Sequence, residues 1–276
     1  MIKLERIRTQ PTIHQKFRDQ GRLDLSLKLM QDRRAELKDS DDKQKFPSKW
    51  GVVKDQLLEE SNQKCAYCEA PTSVVAYGDV EHYRPKSKYW WLAYCYENYL
   101  ASCQLCNQAY KGAKFSVKNA KMKSPVVVRK NSTDSFLEGR SSDLTPDSLS
   151  TANCAAFEGI HADERPYLVN PYIEDPAKWY AWEVDDTLRT VKLIPRDGVV
   201  DADRMVLAAE KDLGLNRKEL LDLRYAELDK FRLFKKVFHE NANTNSTLSQ
   251  VQQMLNTMKS PAAPFSGMIR YFDAIL

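Results

Sequence analysis

The chain has 276 residues, 42 Lys and Arg against 38 Asp and Glu, a net charge of +4, and 42% hydrophobic residues. That is the composition of a folded, water-exposed protein with material for a sizeable core, and it excludes low-complexity and fibrous classes. No apolar run reaches membrane-spanning length, and Met1-Ile2-Lys3-Leu4-Glu5-Arg6 lacks the apolar core of a signal peptide, so the expectation is a cytoplasmic protein with no membrane partner. The mild basic excess permits a polyanionic partner without requiring one.

The first sixty residues read as helical. Leu23 to Leu37 is rich in good helix formers, and the polar break Asp39-Ser40-Asp41-Asp42 follows. Pro47-Ser48 opens a second helix with Trp50, Val53, Leu57 and Leu58 on one face. From Cys65 to Lys114 the helical period stops and Cys, Tyr, Trp and Asn crowd together. Val74 to His82 reads as a short hairpin turning near Gly78-Asp79, and Asn98 to Lys114 as a knuckle running into a helix. Residues 116–160 are rich in Ser, Thr, Asp, Asn and Lys and read as a long surface insertion.

Trp179 to Val184 and Thr190 to Ile194 alternate as a hairpin across Asp185-Asp186. A helix from Ala202 ends near Gly214, a suitable C′ residue, and Asn216 with Glu219 resembles a capping box for the next helix. Leu221, Tyr225, Leu228, Phe231 and Phe238 are its core stripe. Two shorter helices, Leu248 to Met258 and Ser266 to Ile275, close the chain, which shows no internal repeat. The expected organisation is an N-terminal helical region over 1–63, a metal-bearing core over 64–115, an insertion over 116–163, and a mostly helical region with one hairpin over 164–276.

Four of six cysteines form two C-x-x-C pairs, Cys65/Cys68 and Cys103/Cys106, with 34 residues between them. Thiolates at i and i+3 of a tight turn both reach one ion, and two such turns give a closed tetrahedral sulfur set, which is structural zinc chemistry. A redox pair wants a thioredoxin-like βαβ context that is missing, whereas an iron–sulfur cluster would use the same four cysteines. Cys95 and Cys154 read as small buried apolar residues. Taken alone, His82 in Asp79-Val80-Glu81-His82-Tyr83-Arg84-Pro85-Lys86 is an ordinary structural histidine.

Its surroundings change that reading. Asn98 precedes the second cysteine pair, and Asn107 directly follows it in Cys106-Asn107-Gln108-Ala109-Tyr110-Lys111-Gly112-Ala113-Lys114. This constellation resembles the HNH (ββα-metal) endonuclease family in its zinc-bearing form, here as an H-N-N type. The same strings, with Glu164-Arg165-Pro166-Tyr167-Leu168-Val169-Asn170-Pro171-Tyr172, Gly214-Leu215-Asn216-Arg217 and Pro264-Phe265-Ser266-Gly267-Met268, resemble the PtuB proteins of Septu and retron-associated phage-defence systems.

The resemblance implies a helix-rich α+β fold: a small ββα-metal core with a four-cysteine zinc knuckle, flanked by N- and C-terminal helices. It implies phosphodiester hydrolysis with His82 as general base, Asn98 orienting it, and Glu81 and Asn107 holding a catalytic Mg²⁺ or Mn²⁺. Two departures stand out. Glu81 replaces the Asp of many family members, and Asp79 shares its strand face and competes for the ligand role, its alternative being a turn residue. Arg84, Lys86, Lys88, Lys111 and Lys114 are the expected phosphate contacts. The aromatic run Tyr89, Trp90, Trp91, Tyr94, Tyr96 and Tyr99 reads mainly as core, with stacking on unpaired bases as the alternative.

The implied role is a toxic effector held by a PtuA-like ABC/SMC-type ATPase, extending in some systems to a retron reverse transcriptase with its RNA–DNA hybrid. DNA is the favoured substrate, RNA such as tRNA the alternative, and a non-catalytic zinc-knuckle scaffold the reading from another class.

Overall fold

The computed structural model describes residues 1–39, 44–72, 78–240 and 245–276. Part of the expected polar break, Ser40 to Asp42, and the first half of the expected hairpin, Val74 to Tyr77, lie outside the described residues. Among those described, no helix is long and apolar enough to cross a membrane.

Helix α1, Asp19–Lys38, buries Ser26, Leu29 and Met30 at helical spacing. The second helix does not begin at Pro47-Ser48. A 3₁₀ turn at Trp50–Val53 leads into α2, Lys54–Glu60. Val53, Leu57 and Leu58 are buried, while Trp50 stays half-exposed and turns elsewhere.

Strand β1, Asp79–His82, pairs antiparallel with β2, Tyr99–Ser102, in the register Asp79↔Ser102 to His82↔Tyr99. Asp79 is therefore a strand residue rather than a turn residue, and its partner Ser102 lies beyond the aromatic run. Tyr83, Tyr89, Trp91, Tyr94 and Tyr96 fill the excursion between the two strands and are buried, which settles most of that run as core. A single π-helical segment, Leu105–Lys111, follows β2 almost directly. Such segments are rare and concentrate at functional sites.

Residues 116–163 do not form a detached surface insertion. Thr133 caps α3, Asp134–Gly139, and Ser150 caps α4, Thr151–Glu164. Helix α4 buries Cys154, Phe157, His161 and Glu164 on one stripe. The polar composition hid a helix whose few inward positions carry both apolar and ion-pairing side chains. Arg34 holds Asp134, and Arg22 donates to the Thr145 carbonyl at 2.7 Å, so the segment is also tied to α1.

Strands β3, Tyr180–Asp185, and β4, Thr190–Pro195, form the second two-stranded sheet, as expected. Helix α5, Ala202–Leu213, ends at Gly214 with φ +61°. Asn216 does not build the expected capping box. Its amide brackets Leu193 of β4, accepting from N at 2.9 Å and donating to O at 3.0 Å, so it extends the sheet edge. Helices α6, Lys218–Glu240, α7, Asn245–Lys259, and α8, Ser266–Asp273, follow. One apolar cluster joins all parts, including Ile13, Leu57, Tyr99, Leu168, Leu213, Phe231 and Met268.

Candidate metal centre and catalytic cleft

The first cysteine turn follows α2. Cys65 N donates to Ala70 O at 3.0 Å, and Ala66 N donates to Ala101 O at 2.9 Å, which ties the turn to β2. The second turn lies between β2 and the π-helix, where Cys106 N donates to Cys103 Sγ at 3.4 Å. The four sulfurs of Cys65, Cys68, Cys103 and Cys106 lie within 4.8 Å of one another, with Cys68 and Cys103 3.9 Å apart. Four Zn–S bonds in a tetrahedron need sulfurs about 3.8 Å apart.

The surroundings suit a cluster of thiolates. Arg217, just before α6, points its guanidinium at Cys106 Sγ at 3.7 Å and Cys68 Sγ at 4.0 Å. Hydrogen bonds from the other thiols hold Cys68 and Cys103 below the usual thiol range, while burial pushes Cys65 up and hydrogen bonding with Cys103 pushes Cys106 up. The donor set fits one structural zinc. Cys95 and Cys154 lie outside it and are buried, their thiols pushed up by burial to about 12 and about 11.

His82 closes β1. Its Nε2 lies 3.0 Å from the Ala93 carbonyl oxygen. A carbonyl only accepts, so Nε2 carries the proton and the lone pair of the neutral ring is on Nδ1. The ring is wedged edge-on between Trp50 at 4.5 Å and Tyr99 at 5.1 Å. Burial holds its pKa down at about 3, so the ring is neutral at neutral pH.

Asn98 does not touch this ring. Its oxygen accepts from Arg84 N at 2.8 Å, and its amide N donates to Arg84 O at 3.0 Å and Leu92 O at 3.2 Å. It therefore pins the chain on both sides of the excursion, next to the Ala93 carbonyl that holds His82. The direct contact with the ring expected of Asn98 is not made, because a fully buried amide satisfies its own polar atoms first, here on backbone.

Asp79 and Glu81 share a strand face, as period 2 requires, and that face meets the π-helix. Asp79 Oδ2 accepts from Asn107 Nδ2 at 3.1 Å and from Gln108 Nε2 at 2.9 Å. Glu81 is ion-paired with Lys111, whose ammonium also donates to His82 O at 2.9 Å. The contact is made by Glu81 Oε1, and burial pushes the carboxyl up against the pull of Lys111. The structure thus brings Asn107 to Asp79 and gives Glu81 to Lys111. Asp79, Glu81, His82 and Asn107 all line one cleft of about 510 Å³. Two carboxylates and an amide are hard oxygen donors of the kind that suit Mg²⁺ or Mn²⁺.

The basic residues separate into two groups. Arg84 and Lys111 are not surface contacts: both are fully buried, Arg84 bonding Glu164 Oε2 at 2.8 Å and His161 Nδ1 at 3.2 Å. Desolvation makes an unpaired cation there costly, so each is held by a carboxylate. Lys86, Lys88 and Lys114 remain accessible, and Lys86 lines the cleft. The sequence reading missed Gln108, Arg217, Phe46 and Trp50. The last two sit in Lys45-Phe46-Pro47-Ser48-Lys49-Trp50, whose alternation of basic and aromatic residues was the available signal.

Comparison with known proteins gives two relatives of the same description. The chain is 25% identical over 239 residues to Septu protein PtuB of Bacillus mycoides (strain KBAB4), a match over 81% of this chain and 66% of that protein. It is 44% identical over 63 residues to Septu protein PtuB of Bacillus thuringiensis, 22% of this chain and 24% of that protein. The match therefore leaves a third of the first relative uncovered. No family model matches the chain, and no solved structure matches it.

Proposed function

We propose that this chain is an HNH-type, divalent-cation-dependent endonuclease acting as an effector in a Septu-type phage-defence system. The defence role rests on the likeness to the two Septu PtuB proteins. The chemistry rests on one observation: His82 presents a neutral imidazole, fixed through Nε2–H to the Ala93 carbonyl, in the cleft that holds Asp79, Glu81 and Asn107.

In this reading Nδ1 of His82 takes a proton from water as the water oxygen attacks phosphorus and the bond to the leaving 3′-oxygen breaks. General-base help of this kind is worth roughly 10²–10⁴ in rate. Burial weakens His82 as a base, but an anionic phosphodiester entering the cleft works the other way and favours the imidazolium that forms. Asp79 and Asn107, with Glu81 beside them, would hold a divalent cation, which would supply charge neutralisation at the scissile phosphate and the leaving oxygen. Asn98 keeps the Ala93 carbonyl in place, and Lys111 balances the Glu81 charge. A zinc held by the four cysteines would fix the turn that carries Asn107.

A PtuA-like ATPase is the proposed partner, docking on the helices outside the cleft. The test is cleavage of plasmid, single-stranded DNA and total tRNA by the purified chain, with Mg²⁺, with and without that ATPase. Expected is Mg²⁺-dependent cutting that His82→Ala abolishes while zinc content is unchanged. Cutting retained in His82→Ala, or none from either preparation, overturns the nuclease reading.

A further inference from the structure

The cleft has an aromatic side that the hydrolytic chemistry does not use. Phe46 and Trp50, both half-exposed, line it together with the acidic residues. The Trp50 ring stands 4.5 Å from the His82 ring, edge-on, so a group resting beside Trp50 is a neighbour of the attacked phosphate. Lys86 Nζ lies 5.1 Å over the Trp50 ring, and Lys45 and Lys49 flank the two aromatics on the exposed strip. The tyrosines and Trp91 between β1 and β2 are buried and offer no stacking face.

We propose that Phe46 and Trp50 form a stacking platform for an unpaired base beside the scissile phosphate, so that the cleft selects single-stranded or locally unpaired nucleic acid over intact duplex. The inference rests on the nuclease reading and names its substrate class. A base inside a duplex has both faces covered by its neighbours and cannot meet a protein ring without leaving the stack. Alternating aromatic and basic residues are the chemistry that binds unpaired strands, the rings taking bases and the ammonium groups taking phosphates. Trp50 also packs against His82, so its removal disturbs the base. Phe46 makes no ring contact with His82 and is the cleaner handle.

The experiment measures binding of a labelled 12-nucleotide strand, as DNA and as RNA, and of the same sequence as a hairpin duplex. It uses the full chain carrying His82→Ala in Mg²⁺, by fluorescence anisotropy. Expected is tighter binding of the single strand than of the duplex. Phe46→Ala added to this background weakens the single strand by roughly 5- to 150-fold, the span of about 1–3 kcal/mol per stacked base, and leaves the duplex within twofold. Trp50→Phe, which keeps a ring, retains most of the preference. Equal affinity for strand and duplex, or equal weakening of both by Phe46→Ala, overturns the inference. Cleavage by the wild-type chain, read separately, distinguishes this from failure of the nuclease reading: a strand preference without any cutting leaves the platform standing and removes the nuclease.

Discussion

His82 shows how one side chain is assigned a state by its neighbours. The Ala93 carbonyl selects the tautomer, and burial between Trp50 and Tyr99 suppresses protonation to about pH 3. The folded pKa lies below the ordinary value of 6.5, so the unfolded chain takes up this proton first as pH falls. The His82 contribution to stability is therefore complete above about pH 6.5 and is lost progressively toward pH 3, at up to about 1.4 kcal/mol per pH unit. Urea unfolding at pH 7 and at pH 4.5 checks this in the wild type and in His82→Asn, which removes the titrating group. The wild type loses more stability between the two pH values; identical losses exclude a suppressed histidine.

At the scale of elements, the cleft is made where three pieces meet. Strand β1 supplies Asp79, Glu81 and His82, the π-helix supplies Asn107, and the loop before α2 supplies Trp50. The π-helix is in turn buttressed from the C-terminal half. Gly214, at the end of α5 with φ +61°, lies so close to Tyr110 that a Cβ there would stand 2.5 Å from the ring. Gly214→Ala therefore combines about 1–2 kcal/mol of left-handed backbone strain with displacement of Tyr110, the residue before Lys111. A thermal melt of Gly214→Ala is expected to show Tm lowered by several degrees. An unchanged Tm means that the α5–α6 corner does not press on the cleft.

For the whole molecule, the four-cysteine cluster is the knot through which distant segments pass. It joins the turn after α2, the turn after β2 and, through Arg217, the corner before α6. Binding energies of structural zinc in small peptides are roughly 10–16 kcal/mol, as large as the net stability of a typical domain. Removing the metal under reducing conditions is expected to unfold the knuckle and collapse the cleft, while α6 to α8 keep their helices. Elemental analysis with circular dichroism before and after chelation reads this as loss of one zinc per chain, a lower Tm and a partial loss of helix signal. A chain that melts identically with and without chelator would refute the structural role.

Much of this was legible from residues alone. Each C-x-x-C spacing aims two thiols at one point, the alternation at Tyr180 to Pro195 makes a hairpin, and Gly214 ends a helix, because each depends on local geometry that neighbouring residues set. The string Asp79 to His82 also places two carboxylates on one strand face. What it does not contain is the partner that each carboxylate meets: Asn107 and Gln108 for Asp79, Lys111 for Glu81. Nor does it contain the burial of Arg84 against Glu164 and His161, which turns an expected phosphate contact into an internal ion pair and a polar segment into part of the core. Those outcomes are tertiary, since whether a charge faces water or a buried counter-charge depends on segments 80 residues apart, and only the assembled chain brings them within hydrogen-bonding reach.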